Sequence, residues 1–258
     1  MGVYRIENRE CIASLFDGCE DTMVWSCLQG HMGIAYADHP TAPTSAQVSI
    51  GDICFFAGVV HDELVRNKPQ NLSDDFAILV PPDQAWAQAI ERVYCENVKK
   101  HIRYATKKEP DIFCTKTLAD IVVGLPVQYE ITPIYRAEYE EILSLDWAID
   151  LCGNYACYED YGRGGLGFVI RKNGVIVSGA SSYTFYDSGI EIEIDTREDE
   201  RRKGLASICG AKLILECLDR NLYPSWDAHT KDSLALAQKL GYRFAREYLV
   251  YLMGRLVW

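Results

Sequence analysis

The sequence predicts an α/β protein: a mixed, mostly antiparallel sheet flanked by helices in the C-terminal half, with a smaller α/β domain before it. Three observations predict this class. Two β-branched runs flank Asn173-Gly174, a dipeptide typical of a tight hairpin turn. The next segment, 189–196, alternates isoleucine with acidic residues, as a strand with one apolar face does. Residues 205–222 are apolar almost all round and predict a helix buried against the sheet.

The remaining elements of the second half follow in chain order. "VQYEITPI" (127–134) alternates like a strand, and 136–152 carries apolar residues at helical spacing. Residues 154–165 are polar and rich in glycine, which predicts a loop. After the buried helix we expect a short strand over 223–229, a helix over 232–242 closed by Gly241, and a final strand over 243–253.

The first half gives weaker patterns. One or two strands are predicted over 45–60, another over 76–81, an amphipathic helix over 81–102 and a second helix over 116–125. The basic, aromatic stretch 99–108 is assigned to the end of the first helix, where cations favour the helix dipole, rather than to a nucleic-acid site. No internal repeat is apparent. We predict two domains, 1–125 and 126–258.

Composition excludes several classes of function. A net charge of −11 over 258 residues argues against a nucleic-acid partner, since such proteins need a basic face. The longest apolar run, 53–60, is far shorter than a membrane span, and the N-terminus lacks the order of a signal peptide. Ten scattered cysteines without zinc-type spacing predict reduced thiols and no metal site. We therefore expect a cytoplasmic protein with no membrane, metal or nucleic-acid partner.

The most informative stretch joins the acidic strand to the buried helix. Its residues "RRKGLA" (201–206) place three cations and a glycine where the helix begins. The first turn of a helix exposes unpaired backbone N–H groups and a positive dipole end. Gly204 leaves room for ligand oxygens to approach the main chain. The junction therefore predicts a cradle for a pyrophosphate, although an ordinary charged turn remains an alternative at this point.

"RRKGLA" between a strand and a long helix resembles the R/Q-x-x-G-x-G/A motif of the GNAT superfamily of acyl-CoA-dependent N-acyltransferases. The order of elements over 127–258 is similar to the GNAT fold. More narrowly, "IEIDTREDERRKGLA", "LILECL" and "YPSWDAHTKDSLALAQKLGY" resemble the bacterial group that includes the zwittermicin A resistance acetyltransferase. The resemblance covers the C-terminal half well and the N-terminal half only vaguely.

The resemblance implies acetyl-CoA as the cosubstrate and assigns roles to residues of this chain. The turn would hold the CoA pyrophosphate, and the strand before it would pair with the pantetheine arm where two neighbouring strands separate. Thr230 lies at a family motif position on the penultimate helix. The predicted cofactor-binding residues are Ile194, Asp195, Thr196, Arg201, Arg202, Lys203, Gly204, Leu205, Ala206 and Thr230.

Acetylation of an amine needs a proton acceptor. A primary amine with a pKa near ~10 is mostly protonated at neutral pH, so a carboxylate is the natural general base. Glu191 and Glu193, on the acidic strand, are the predicted catalytic residues. That they form only the solvated side of an amphipathic strand remains open. The tyrosine that many GNAT enzymes carry on the penultimate helix is replaced by Ala237.

These features predict an enzyme that moves an acetyl group from acetyl-CoA to an amine of a small molecule, such as an amino-antibiotic, by direct attack in a ternary complex. The N-terminal half is expected to help shape the acceptor pocket. Two alternatives stay open: a CoA-binding regulatory module that has lost catalysis, and acetylation of a protein or peptide amine. The sequence leaves a homodimer open as well.

Overall fold

The computed structural model describes residues 2–70 and 76–254. The chain divides into two units: one takes residues up to Arg103 and from Tyr248 onward, and the other runs from Tyr104 to Glu247. The domains predicted at 1–125 and 126–258 stay a prediction. The structural division differs from them because it gives 104–125 to the second unit and the end of the last strand to the first.

Strands and helices are interspersed along the described residues, in runs of one to three. In chain order the elements are β1 (Tyr4–Ile6), α1 (Glu10–Ala13), α2 (Thr22–Leu28), β2 (Ile34–Ala37), β3 (Ser45–Ile50), β4 (Ile53–Gly58), α3 (Asp62–Arg66), β5 (Phe76–Val80), α4 (Gln84–Tyr94), β6 (Val98–Thr106), α5 (Thr115–Val123), β7 (Tyr129–Pro133), α6 (Arg136–Ile142), α7 (Tyr158–Gly164), β8 (Gly167–Lys172), β9 (Val175–Tyr186), β10 (Gly189–Thr196), α8 (Leu205–Asp219), β11 (Tyr223–Ser225), β12 (Asp227–Ala228), α9 (Lys231–Lys239) and β13 (Phe244–Gly254).

The two halves of this series repeat one plan. From β1 to β6 the order is strand, two helices, three strands, helix, strand, helix, strand. From β7 to β13 the same order recurs, with the two-residue strand β12 added after the fifth strand. In both halves the fourth and fifth strands pair in parallel, β4 with β5 and β10 with β11. The repeat that the sequence does not reveal is therefore present in the order and pairing of the elements.

In the first unit, a tryptophan covers the end of the fourth strand. β4 pairs with β5 only over Ile53–Phe55 and continues to Gly58. The fully buried Trp86, from α4, stacks on Phe56 with 5.0 Å between ring centroids. Its indole N–H donates to the Gly58 carbonyl oxygen at 2.9 Å. The backbone that extends past β5 is thus covered by a large side chain of the same unit.

The second unit contains a five-stranded sheet in the order β11-β10-β9-β8-β7. β7 to β10 pair antiparallel and β11 pairs with β10 in parallel. The predicted hairpin turn is confirmed, because Asn173 and Gly174 both adopt positive φ, 51° and 81°. The mixed, mostly antiparallel sheet flanked by helices agrees with the predicted fold class.

Helix α8 packs its apolar surface on this sheet. Ile190, Ile192 and Ile194 of β10 share one core with the helix, as the alternation in the sequence predicts. Gly210 permits the close approach, since a Cβ there would lie 3.0 Å from the Ile194 Cδ1 atom. The core also encloses Cys209 and Cys217, two of the ten free thiols. The strand and the helix that flank the predicted cradle are therefore firmly packed together.

Three local predictions are wrong. The helix expected over 136–152 ends as α6 at Ile142, and a 3-10 turn follows at 149–151. The loop expected over 154–165 contains α7, because the buried Tyr161 packs against Tyr139 and shares a hydrogen bond with Ser181. The basic stretch 99–108 lies mostly in strand β6, since α4 ends at Tyr94 and Cys95 takes a positive φ of 50°.

Candidate active site

A groove edge opens along β10 where its parallel neighbour stops. β11 pairs with β10 only over Gly189–Glu191, and β10 continues to Thr196. After Trp226 the chain turns to a different partner, because β12 pairs with β6. Residues 192–196 therefore keep β9 on one side while the strand on the other side leaves. This is the separation of neighbouring strands that the sequence predicts between "IEIDT" and "PSWDA".

Glu191 lies at the point where the two strands separate. It is only 6% exposed, and its Oε1 atom accepts the backbone N–H of Asp227 at 2.7 Å. Asp227 follows Trp226, the residue after β11, so its N–H is not used in the pairing of β11 with β10. The Glu191 carboxylate satisfies this N–H instead. Glu191 is therefore not part of the solvated side of an amphipathic strand. Its side chain connects the two strands where they separate.

Glu193 lies on the separated part of β10. Its side chain is half-buried, and its Oε1 accepts the N–H of Ile194 at 3.2 Å. The carbonyl of Asp195 accepts the Ser178 hydroxyl at 3.1 Å, and the carbonyl of Thr196 accepts the Arg201 guanidinium at 3.1 Å. Side chains thus engage the main-chain groups predicted to pair with a pantetheine arm, and a ligand amide has to replace the Glu193 contact to reach Ile194.

The turn before α8 has the backbone geometry of an anion cradle. Arg202 and Gly204 both adopt positive φ, 63° and 84°, and a Cβ built on Gly204 meets nothing within 4 Å. The first intrahelical bond runs from Ile208 N–H to the Gly204 carbonyl. Across 2–70 and 76–254, no hydrogen bond uses the backbone N–H of residues 202–207 as a donor. These amides are available to a ligand, while Leu205 is buried in the core.

The three cations of the turn have different surroundings. Arg201 braces the end of β10 through its bond to Thr196. Lys203 donates to the Glu200 carboxylate and to the Asp199 carbonyl, both at 2.8 Å. Arg202 is exposed on the turn. Arg202 is thus the cation best placed to meet an incoming anion, and Lys203 is already held by the protein.

Asp195, also on β10, has a strongly shifted pKa. Burial, and next the negative charge of Asp150, raise its pKa to about 7, while Arg201 opposes the shift. Its side chain follows Glu191 and Glu193 on the acidic side of β10. The sequence assigns only the main chain of Asp195 to a ligand, so this electrostatic environment is a feature that sequence reasoning missed.

The predicted cofactor residue Thr230 immediately precedes helix α9. The Thr230 hydroxyl accepts the N–H of Ser233 at 3.1 Å and so caps the helix, a role that the sequence analysis did not assign. Ala237 is fully buried in the core of the unit. A side chain at 237 therefore faces the core, and this position offers no proton donor.

Comparisons with known proteins show the family of this chain. The profile of the family described as GNAT acetyltransferase matches residues 13–251. The chain belongs to the GNAT acetyltransferase family. A Bacillus subtilis (strain 168) protein named "Uncharacterized N-acetyltransferase YdfB" is 28% identical over 251 residues, covering 90% of each chain. The crystal structure of a GCN5-related N-acetyltransferase-like protein from Streptococcus suis 89/1591 superposes with a TM-score of 0.90 and 45% identity, over 96% of this chain and 99% of that one.

A more distant GNAT structure shares only the fold. The tandem GNAT protein from the clavulanic acid biosynthesis pathway aligns with a TM-score of 0.54 and 12% identity, over 97% of this chain and 98% of its own. Membership of the GNAT family makes this chain an acyltransferase. None of the helices described is long and apolar enough to cross a membrane, and residues 2–70 and 76–254 bring together no set of three metal-binding side chains.

Proposed function

We propose that this GNAT protein acetylates an amine of a small cationic molecule and that it binds acetyl-CoA along β10 and the turn at 201–206. The free amides of residues 202–207, beside a strand whose parallel neighbour has ended, are the observation that carries the proposal. The space next to Gly204 fits a ligand that approaches the main chain closely. Acetyl-CoA supplies the activated acetyl group, and the narrower resemblance to the zwittermicin A resistance group favours an amino-antibiotic as acceptor.

The acidic side of β10 supports a cationic acceptor. Glu191, Glu193 and Asp195 alternate along the strand, and Asp150 lies close enough to Asp195 to raise its pKa. Carboxylates attract an ammonium group and can take its proton, which frees the nitrogen lone pair for attack. The chain's net charge of −11 also attracts a cationic acceptor over longer distances.

Of the two predicted catalytic carboxylates, we propose Glu193 as the proton acceptor. It is half-buried on the separated part of β10, and its contact to Ile194 N–H is local and exchangeable. Glu191 is buried and fixed by Asp227, so we propose that it positions the separated strands. The two roles predict different mutant behaviour.

The test measures release of free thiol from acetyl-CoA with a panel of diamines, polyamines, amino-antibiotics and lysine peptides. We expect turnover with small cationic amines and a loss of about 10²- to 10⁴-fold in kcat for Glu193→Gln. Glu130→Gln, an exposed carboxylate on β7, is the matched control and should keep wild-type kcat. Turnover confined to peptides would reject the small-molecule acceptor.

A paired substitution separates the role of Glu191 from that of Glu193. Glutamine at 191 still offers an amide oxygen to the Asp227 N–H, whereas alanine does not. We expect Glu191→Gln to retain most activity and Glu191→Ala to lose it. If Glu191→Gln is as inactive as Glu191→Ala while Glu193→Gln is active, the proton acceptor is Glu191.

A further inference from the structure

A buried carboxylate anchors the cradle turn to the sheet. Glu200 lies immediately before the turn and is only 3% exposed. Its Oε2 accepts the Tyr129 hydroxyl at 2.6 Å and the Lys203 ammonium at 2.8 Å, and its Oε1 accepts the Lys172 ammonium at 2.7 Å. One side chain therefore joins the sheet, the segment before the turn and the turn itself.

The sheet side of this network consists of two paired strands. Tyr129 of β7 and Lys172 of β8 face each other directly in the antiparallel register, next to the hairpin that leads into β9. Two neighbouring strands thus supply two donors to one carboxylate. On the other side of the turn, the buried Leu205 fixes the start of α8 in the core. Residues 201–204 are consequently held at both ends.

The turn at 201–204 needs this anchoring for a physical reason. A non-glycine residue such as Arg202 adopts positive φ at a cost in free energy, and this conformation persists only where the surroundings enforce it. The free amides of 202–207 gain nothing from internal hydrogen bonds, so they do not hold the turn in shape. A turn with this geometry needs an external restraint, and the Glu200 contacts supply a buried one beside the Arg201 and Lys203 bonds to the Thr196 and Asp199 carbonyls.

We infer that Glu200, held by Tyr129 and Lys172, is a positioning residue that keeps the cradle turn in the conformation that receives the diphosphate of acetyl-CoA. This inference rests on the proposed acetyl-CoA site. Glu200 does not touch the reacting atoms in this scheme. It acts through Lys203 and the backbone, so its loss should weaken binding of the phosphate-bearing part of the ligand and spare the chemistry.

The experiment compares two ligands on the full-length protein. CoA carries the diphosphate, whereas pantetheine carries only the arm and the thiol. We expect Glu200→Gln to raise the Kd of CoA by about tenfold or more and to leave that of pantetheine within about twofold, both by calorimetry well below the Tm. With acetyl-CoA and an accepted amine, the KM for acetyl-CoA should rise while kcat is retained.

Matched variants complete the design. Glu198→Gln, an exposed carboxylate two residues earlier, removes the same charge and should bind CoA like the wild type. Tyr129→Phe and Lys172→Met each remove one donor to Glu200 and should give smaller losses of the same selective kind, even if Glu200→Gln fails to fold. Equal weakening of CoA and pantetheine, or unchanged CoA affinity in a folded Glu200→Gln or in both donor variants, would overturn the inference. Failure of the wild type to bind CoA would instead reject the proposed site itself.

Discussion

The cradle can be tested by two glycines that have the same backbone geometry. Gly204 has φ +84° and Gly174, in the β8–β9 hairpin turn, has φ +81°, and a Cβ on either meets nothing within 4 Å. Alanine in the left-handed region costs about 1–2 kcal/mol at either position. We therefore expect Gly204→Ala and Gly174→Ala to lower the Tm equally, by about 2–4 °C per kcal/mol in a chain of this size.

Binding of CoA should separate the two glycines. A methyl group at 204 occupies space that the diphosphate approaches, whereas one at 174 lies on the hairpin. Glutamate at 204 adds a charge; at about 5 Å from one phosphate charge and an effective dielectric constant of about 20, the repulsion is about 3 kcal/mol. That energy corresponds to a loss of affinity of more than about a hundredfold.

Calorimetric titration with CoA measures this difference. We expect Gly204→Glu to bind at least about a hundredfold more weakly than Gly174→Glu, with Gly204→Ala between Gly204→Glu and the wild type. The Gly174 variants carry the same backbone strain, so the difference reports on the cradle alone. Equal CoA affinity of Gly204→Glu and Gly174→Glu would refute the assignment of the diphosphate to this turn.

Three further predictions concern stability. The pKa of Asp195 is raised to about 7 in the folded protein, so its stabilising contribution is complete below about pH 4 and is lost as pH rises through 7. Wild type should therefore lose stability relative to Asp195→Asn between about pH 4 and 7 in urea unfolding, and parallel pH profiles would contradict this. Bonds from Lys172, then Lys203 and Tyr129, lower the pKa of Glu200 from 4.5 to about 2, so its contribution is present above 4.5 and is lost as pH falls to 2. The acid limb of the stability profile should flatten over that range in Glu200→Gln, and an unchanged limb would argue against the network. Thr230→Ala should cost about 1 kcal/mol by uncapping α9 while Thr230→Ser retains most of it, and equal losses would show that the hydroxyl is not the cap.

The parts of the fold that the sequence predicts best are set by neighbouring residues. Asn173-Gly174 favours its turn through the conformational freedom of those two residues. The alternation of β10 and the apolar length of α8 are likewise local patterns, and the junction between them follows from both. The sequence therefore predicts the position of the turn between β10 and α8.

The elements that sequence reasoning missed depend on distant contacts. α7 forms in a glycine-rich stretch because Tyr161 packs against α6 and shares a hydrogen bond with β9. The residues of the stretch do not by themselves predict these distant contacts. The same holds at the site. Glu191 and Glu193 look alike in an alternating strand, yet Glu191 accepts the backbone N–H of Asp227, beyond the end of β11, while Glu193 accepts that of its own neighbour Ile194. Glu200 looks like one member of a charged run until Tyr129 and Lys172 approach it.

The repeated order of elements has a consequence for how many cosubstrate molecules the chain can hold. Each half extends its fourth strand past its fifth, but in the first half an indole from α4 already lies on that extension. In the second half β10 runs on to Thr196 past the end of its pairing with β11, with β9 as its strand neighbour there. We therefore expect only the second of the two repeated arrangements to bind CoA. Saturation with CoA should then require one equivalent per chain.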